Sequence, residues 1–234
     1  MTVERLINRS EKNMKRINKT ATAGLITLMI IALSPAALAT LVLDQAQETS
    51  DGGSAFYNWI SLAQTFTPGT DGTLHHVDLQ IQGYSGQATC PATIAIVTTA
   101  ADVPTATALG TVLNAPLAVG WNSIDFFSQS IALSAGTKYG IVISNTDPNK
   151  NTSPTDALRI QWDTNPYAGG ILWERSLNAS GGWNPWEPAI FDTSSTPGYA
   201  DAAFRTYMVP IPEPTAIALL LCPAMVAVLR NKRK

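Results

Sequence analysis

Two histidines stand side by side, His75 and His76, with Asp78 two places further on. Imidazole beside a carboxylate is raw material for general base catalysis and for metal binding. A Ser-His-Asp device also needs an exposed nucleophile, and no G-x-S-x-G elbow is present to supply one. Neighbouring residues in a strand point to opposite faces, so the pair is expected to straddle its sheet without sharing a metal. Cys90 and Cys222 are the only cysteines, too few for a Cys-based zinc site.

Other chemistry is suggested further along the chain. Asp147, Asn149 and Asn151 recur at every second position, the spacing of oxygen ligands that opens a calcium loop. Thr152 then stands where that loop needs Gly, and Leu158 where it needs a bidentate Glu, which excludes an EF-hand. A structural calcium held in some other geometry by Asp147, Asn149, Asn151 and Asp156 remains as a reading; no other cofactor is suggested. The stretch "GGWNPWEP" (181–188) sets Trp183 and Trp186 in a Gly/Pro loop, with Trp173 and Tyr167 nearby in sequence. Exposed rings of this kind can stack on sugar faces, while Asn184 or Glu187 bonds hydroxyls. The competing reading is that these rings cover the end of a core, a common use of large aromatics. Paired carboxylates for glycoside hydrolysis must stand about 5–9 Å apart, and spacing in sequence singles out no such pair.

The elements that must position these residues read as β throughout. "VDLQIQ" (77–82) alternates Val77, Leu79 and Ile81 with Asp78, Gln80 and Gln82, the pattern of a strand with one wet face. Residues 92–99, 121–127, 137–144, 158–163 and 202–209 read as further strands; Tyr139, Ile141 and Ile143 share one face, as do Leu158, Ile160 and Trp162. Turn signals such as Pro68-Gly69, Asp71-Gly72, Gly169-Gly170 and Pro197-Gly198 separate them. Many strands, frequent Gly/Pro turns and no helical period predict an all-β fold, an antiparallel β-sandwich, over residues 40–209. Two long loops are expected, at 145–157 and 176–200.

Both ends differ from this body. Residues 1–21 carry six Lys/Arg against two Glu. An apolar stretch follows from Ala23 to Leu33, then Ser34-Pro35 and the small-x-small triplet Ala37-Leu38-Ala39. A basic leader, a short apolar helix and a cleavage pattern make residues 1–39 a secretory signal peptide, passed to the Sec machinery and cut after Ala39. At the other end, Pro212-Glu213-Pro214 precedes fifteen uncharged residues, Thr215 to Leu229, and then Arg230, Lys232, Arg233 and Lys234. A helix of that length covers about 22 Å, short for a bilayer but within reach of a thin one. The basic cluster stays cytoplasmic, so the tail stops transfer and tethers an exported body to the inner membrane.

Once the ends are set aside, the body holds five Lys/Arg against 14 Asp/Glu. That balance argues against a nucleic-acid partner, which needs a basic surface. With Cys222 in the tail, the body holds no second cysteine with which Cys90 could form a disulfide.

The tripartite tail, 210–234, with its motif at 212–214, apolar helix at 215–229 and basic end at 230–234, resembles the PEP-CTERM sorting signal. The resemblance implies processing by an exosortase-type enzyme in a Gram-negative bacterium, commonly one that makes exopolysaccharide. It implies delivery from a transient membrane tether to the outer envelope or extracellular matrix. The departure is Cys222-Pro223 inside the apolar segment, where Pro kinks an isolated helix. The blocks "AQTFTPGTDGTLHHVDLQI" (63–81), "LSAGTKYGIVIS" (133–144), "WDTNPYAGGILWE" (162–174) and "DAAFRTY" (201–207) resemble the jelly-roll ectodomains of choice-of-anchor proteins. That likeness implies a jelly-roll fold and a surface location, with no chemistry attached. Three function classes follow in order: an exported, non-catalytic surface or matrix protein; a carbohydrate-binding module using the Trp loop; and a glycan hydrolase.

Overall fold

The computed structural model describes residues 40–50, 52–83, 89–146, 159–164, 167–193 and 196–211. Among them lie fifteen strands in two antiparallel sheets, a β-sandwich. In chain order these are β1 (Val42–Gln47), β2 (Gly52–Ala55), β3 (Ile60–Phe66), β4 (Gly72–Gln82), β5 (Thr89–Ala100), β6 (Val103–Ala118), β7 (Gly120–Asp125), β8 (Ala132–Leu133), β9 (Tyr139–Asn145), β10 (Arg159–Thr164), β11 (Leu172–Ser176), β12 (Glu187–Pro188), β13 (Ile190–Thr193), β14 (Thr196–Ala202) and β15 (Phe204–Pro210). One 3-10 turn, Phe127–Gln129, is the helical element among the described residues.

The larger sheet runs β1-β15-β4-β10-β14-β13, with β2 on β10 and with β7 and β8 on β4. The smaller runs β12-β11-β3-β9-β5-β6. Alternation explains how they face one another. Leu74, Val77, Leu79 and Ile81 of β4 are buried, as are Cys90, Ala92, Ile94 and Ile96 of β5 and Tyr139, Ile141 and Ile143 of β9. These side chains meet in one core with Phe66, Ile160 and Phe204. Phe66 on β3 contacts Phe204 on β15, ring centroids 6.3 Å apart, and so joins the two sheets. A second, smaller cluster of Ala63, Val97, Val142 and Trp173, with Trp186 packed against it, sits on alternate positions of β3, β9 and β11. By alternation that is the outer face of the smaller sheet.

Two expectations need correction. Residues 176–200 are not one long loop: β12, β13 and β14 lie within them, and β14 is held by antiparallel pairing to β10 and β13. Their Pro, Gly and Thr content hides strands that exist through their partners. The second correction concerns β4. Tyr207 of β15 lies opposite His76 and Met208 opposite Leu74, so the pairing steps over His75. Such a β-bulge inserts one residue and breaks strict alternation. Leu74 and Val77 therefore both face the core although three positions separate them.

Among the described residues no helix is long and apolar enough to cross a membrane. The signal segment 1–39, the sorting motif Pro212, Glu213 and Pro214, the apolar run 215–229 and the basic cluster Arg230, Lys232, Arg233 and Lys234 lie outside those residues.

Candidate functional site

The Trp-rich segment is built on the hairpin that leaves β11. Asn178 organises its turn: its side-chain oxygen accepts from the backbone N–H of Ser180 (3.0 Å) and of Gly182 (2.9 Å). Gly181 adopts φ +78°, a left-handed conformation that glycine takes without strain. Trp183 then bridges back to Leu177, and Asn184 donates from its backbone to Ser176 (2.8 Å) and from its side chain to the Ser176 hydroxyl (3.1 Å). The turn delivers Trp183 to the surface, 40% exposed.

Arg175 of β11 ties the two rings together. Its guanidinium carbon lies 4.8 Å from the Trp183 ring centroid and 4.3 Å from that of Trp186, cation–π distances in both cases. Burial lowers the Arg175 pKa from its ordinary value. The result is a small surface with Trp183 as its exposed ring, Trp186 behind it and a cation between them.

The other two residues assigned to this platform are elsewhere. Trp173 is 7% exposed and belongs to the outer cluster with Ala63, Val97 and Val142. Tyr167 is 9% exposed, with its ring edge-on to Phe204 at 5.2 Å. The Tyr167 hydroxyl accepts from the Thr67 backbone N–H (3.1 Å) and donates to Gln45 (3.0 Å), and burial pushes its pKa to about 12. Both residues are packing elements. Of the four, Trp183 and Trp186 remain as candidates for contact with a ligand, joined by Arg175, which spacing did not mark.

Two carboxylates meet beside the loop. Glu174 lies directly across from Glu187 in the β11–β12 register. Partial burial and then the Glu187 charge raise the Glu174 pKa. Alternation puts both on the strand face opposite Arg175. They line a cleft of about 100 Å³ together with Arg175, Ser176 and Asn184.

A third arrangement lies inside the sandwich. Asp201 of β14 is fully buried. Its carboxylate accepts from the side chain of Gln64 on β3 (2.9 Å) and from the backbone of Tyr167 (3.1 Å). Gln64 also accepts from the backbone N–H of Ala202 (2.6 Å) and donates to the Thr65 carbonyl (2.9 Å). Burial raises the Asp201 pKa to about 6, against the two hydrogen bonds that lower it. This polar link joins the two sheets, and sequence reading missed it because "AQTF" and "YADA" give no sign that they meet.

On the outer face of the larger sheet, the bulge in β4 overturns the expected separation of His75 and His76. Their Nδ1 atoms are 2.9 Å apart and their rings nearly perpendicular, at 79°. His76 stacks on Tyr207 at 4.1 Å, and His75 packs against Phe127 at 4.9 Å. Asp78 stands 3.8 Å from His76 Nε2 and, through its other oxygen, 3.8 Å from Arg205. Arg205 in turn bonds Glu48 (2.6 Å) and lies over Trp121 (4.1 Å). Desolvation lowers the His76 pKa against the opposing pull of Asp78.

Asp147, Asn149, Asn151 and Asp156, the residues considered for calcium, lie outside the described residues. Among the described residues no three His, Cys, Asp or Glu side chains converge on a common point. No family model matches the chain, and no curated protein matches it.

Proposed function

We propose that this is an exported, non-catalytic surface or extracellular-matrix protein, with a jelly-roll-like body delivered by an exosortase-type sorting system. The observation that carries the reading is the contrast between body and flanks. Ten of the 15 Lys/Arg fall in residues 1–21 and 230–234, beside uncharged apolar runs, while the body carries a large excess of acids. Basic charge beside an apolar run is what export and stop-transfer read. Pro212-Glu213-Pro214 then marks the boundary at which a processing enzyme acts. The partners are the Sec machinery, the processing enzyme, the inner membrane during transit, and an exopolysaccharide at the destination. The test is the mature protein itself: it should begin after Ala39 and lack residues 215–234.

A second reading, a carbohydrate-binding module, rests on one specific observation, the exposed Trp183 ring clamped by Arg175 beside Trp186. Fixed aromatic rings offer a flat apolar face at low entropic cost, and Arg175 and Asn184 can donate to hydroxyls around it. Titration with exopolysaccharide should change the Trp fluorescence, and Trp183→Ala should abolish the change without moving Tm by more than about 1 kcal/mol equivalent. A fluorescence response that survives Trp183→Ala would remove the loop from consideration. For the hydrolase reading the described residues offer two carboxylate pairs facing each other across strands, Glu174–Glu187 and Asp163–Asp201.

A further inference from the structure

The chain has two histidines, and the β4 bulge brings both to one spot on the outer sheet face. We propose that His75 and His76 form a two-nitrogen chelate, through their Nδ1 atoms, for a divalent transition ion. At a metal–nitrogen length of about 2.0–2.1 Å, two nitrogens at a right angle stand about 2.9 Å apart, and at a tetrahedral angle about 3.3–3.4 Å apart. The observed separation is 2.9 Å. That is a hydrogen-bond length, which a small turn of either ring would open to admit one ion; neutral imidazole suits copper(II), nickel(II) and zinc(II), and affinity among them peaks at copper(II).

The rings are held for the purpose. Tyr207 stacks on one and Phe127 packs on the other, so neither swings freely. Asp78 stands 3.8 Å from His76 Nε2, near enough to favour a cation at the site through its charge. Without metal, the short Nδ1···Nδ1 contact is a hydrogen bond, so one ring carries its proton at Nδ1. Metal binding displaces that proton, which moves to Nε2 of the same ring. No proton is released. With no third His, Cys, Asp or Glu converging among the described residues, the remaining positions on the ion are open to water or to an external donor.

The test uses untagged protein and copper(II) alone. One equivalent should bind, with nitrogen splitting from two imidazoles in the electron paramagnetic resonance spectrum. His75→Ala or His76→Ala should each weaken binding at least tenfold, and zinc(II) should bind at least tenfold more weakly than copper(II). Substoichiometric copper(II) should also broaden the imidazole NMR signals of both histidines in the unmutated protein, a measurement that needs no variant to fold. Equal copper binding by the protein and by a folded His75→Ala/His76→Ala variant would overturn the proposal. So would broadening of one histidine or of neither.

Discussion

Asp201 is the residue whose charge state matters most to the interior. Its carboxyl titrates near 6 in the folded protein, because burial opposes the charge, against about 3.9 in an unfolded chain. The folded state therefore binds the proton more tightly. Below both values the carboxyl is protonated in either state and has no effect on the balance. As pH rises from about 4 to about 6, the unfolded chain ionises first and the folded state loses relative stability. Above about 6 the loss is complete, on the order of 3 kcal/mol. Neighbouring Asp163 adds to the upward shift, while Gln64 and the Tyr167 N–H oppose it. Thermal melts between pH 4 and 7 should show this decline in Tm, and the difference between wild type and Asp201→Asn should carry the same pH window. A constant difference across that range would mean that Asp201 does not titrate there. Nothing in "GYADAAF" discloses this: Asp201 is raised by where its strand docks, and Gln64, which receives it, is 137 residues away.

At the scale of elements, legibility followed how much of a strand's identity resides in its own side chains. β4, β5 and β9 alternate apolar with polar or small residues, and their core positions could be read directly. β6 and β14 could not, because "VPTATALGTVLNAPLA" and "TPGYADA" carry few large apolar residues and hold as strands through β5, β10 and β13. The β4 bulge was illegible for a related reason. It is set by register against β15, a partner more than a hundred residues away, and strict alternation placed His75 and His76 on opposite faces. The Trp segment was half legible: residue types flagged it, but Trp173 and Trp183 look alike in sequence while one is buried and the other exposed. Cohesion between the sheets rests on contacts such as Phe66–Phe204 and Tyr167–Phe204. Phe204→Ala should lower stability by about 3–5 kcal/mol, measurable as a fall in the denaturant midpoint. Trp183→Ala, at the rim, should leave that midpoint within about 1 kcal/mol of wild type. Similar losses for both would contradict the division between core and rim aromatics.

For the molecule as a whole, the account joins an acidic two-sheet body to two segments that act as addresses. The body is where the structure speaks: a packed sandwich with an aromatic–Arg surface on a hairpin and a histidine pair on a sheet face. The addresses are where the amino-acid order speaks, through charge, apolar length and the Pro212-Glu213-Pro214 triplet. The proposed sorting would leave a polypeptide shorter than its gene product at both ends, and free of Cys222. The intact mass of the protein recovered from the envelope or medium of producing cells tests this most directly. The account predicts a species that starts at Thr40 and ends at or near the Pro212-Glu213-Pro214 motif, with residues 215–234 gone. A recovered species that still contains residues 215–234 would contradict it.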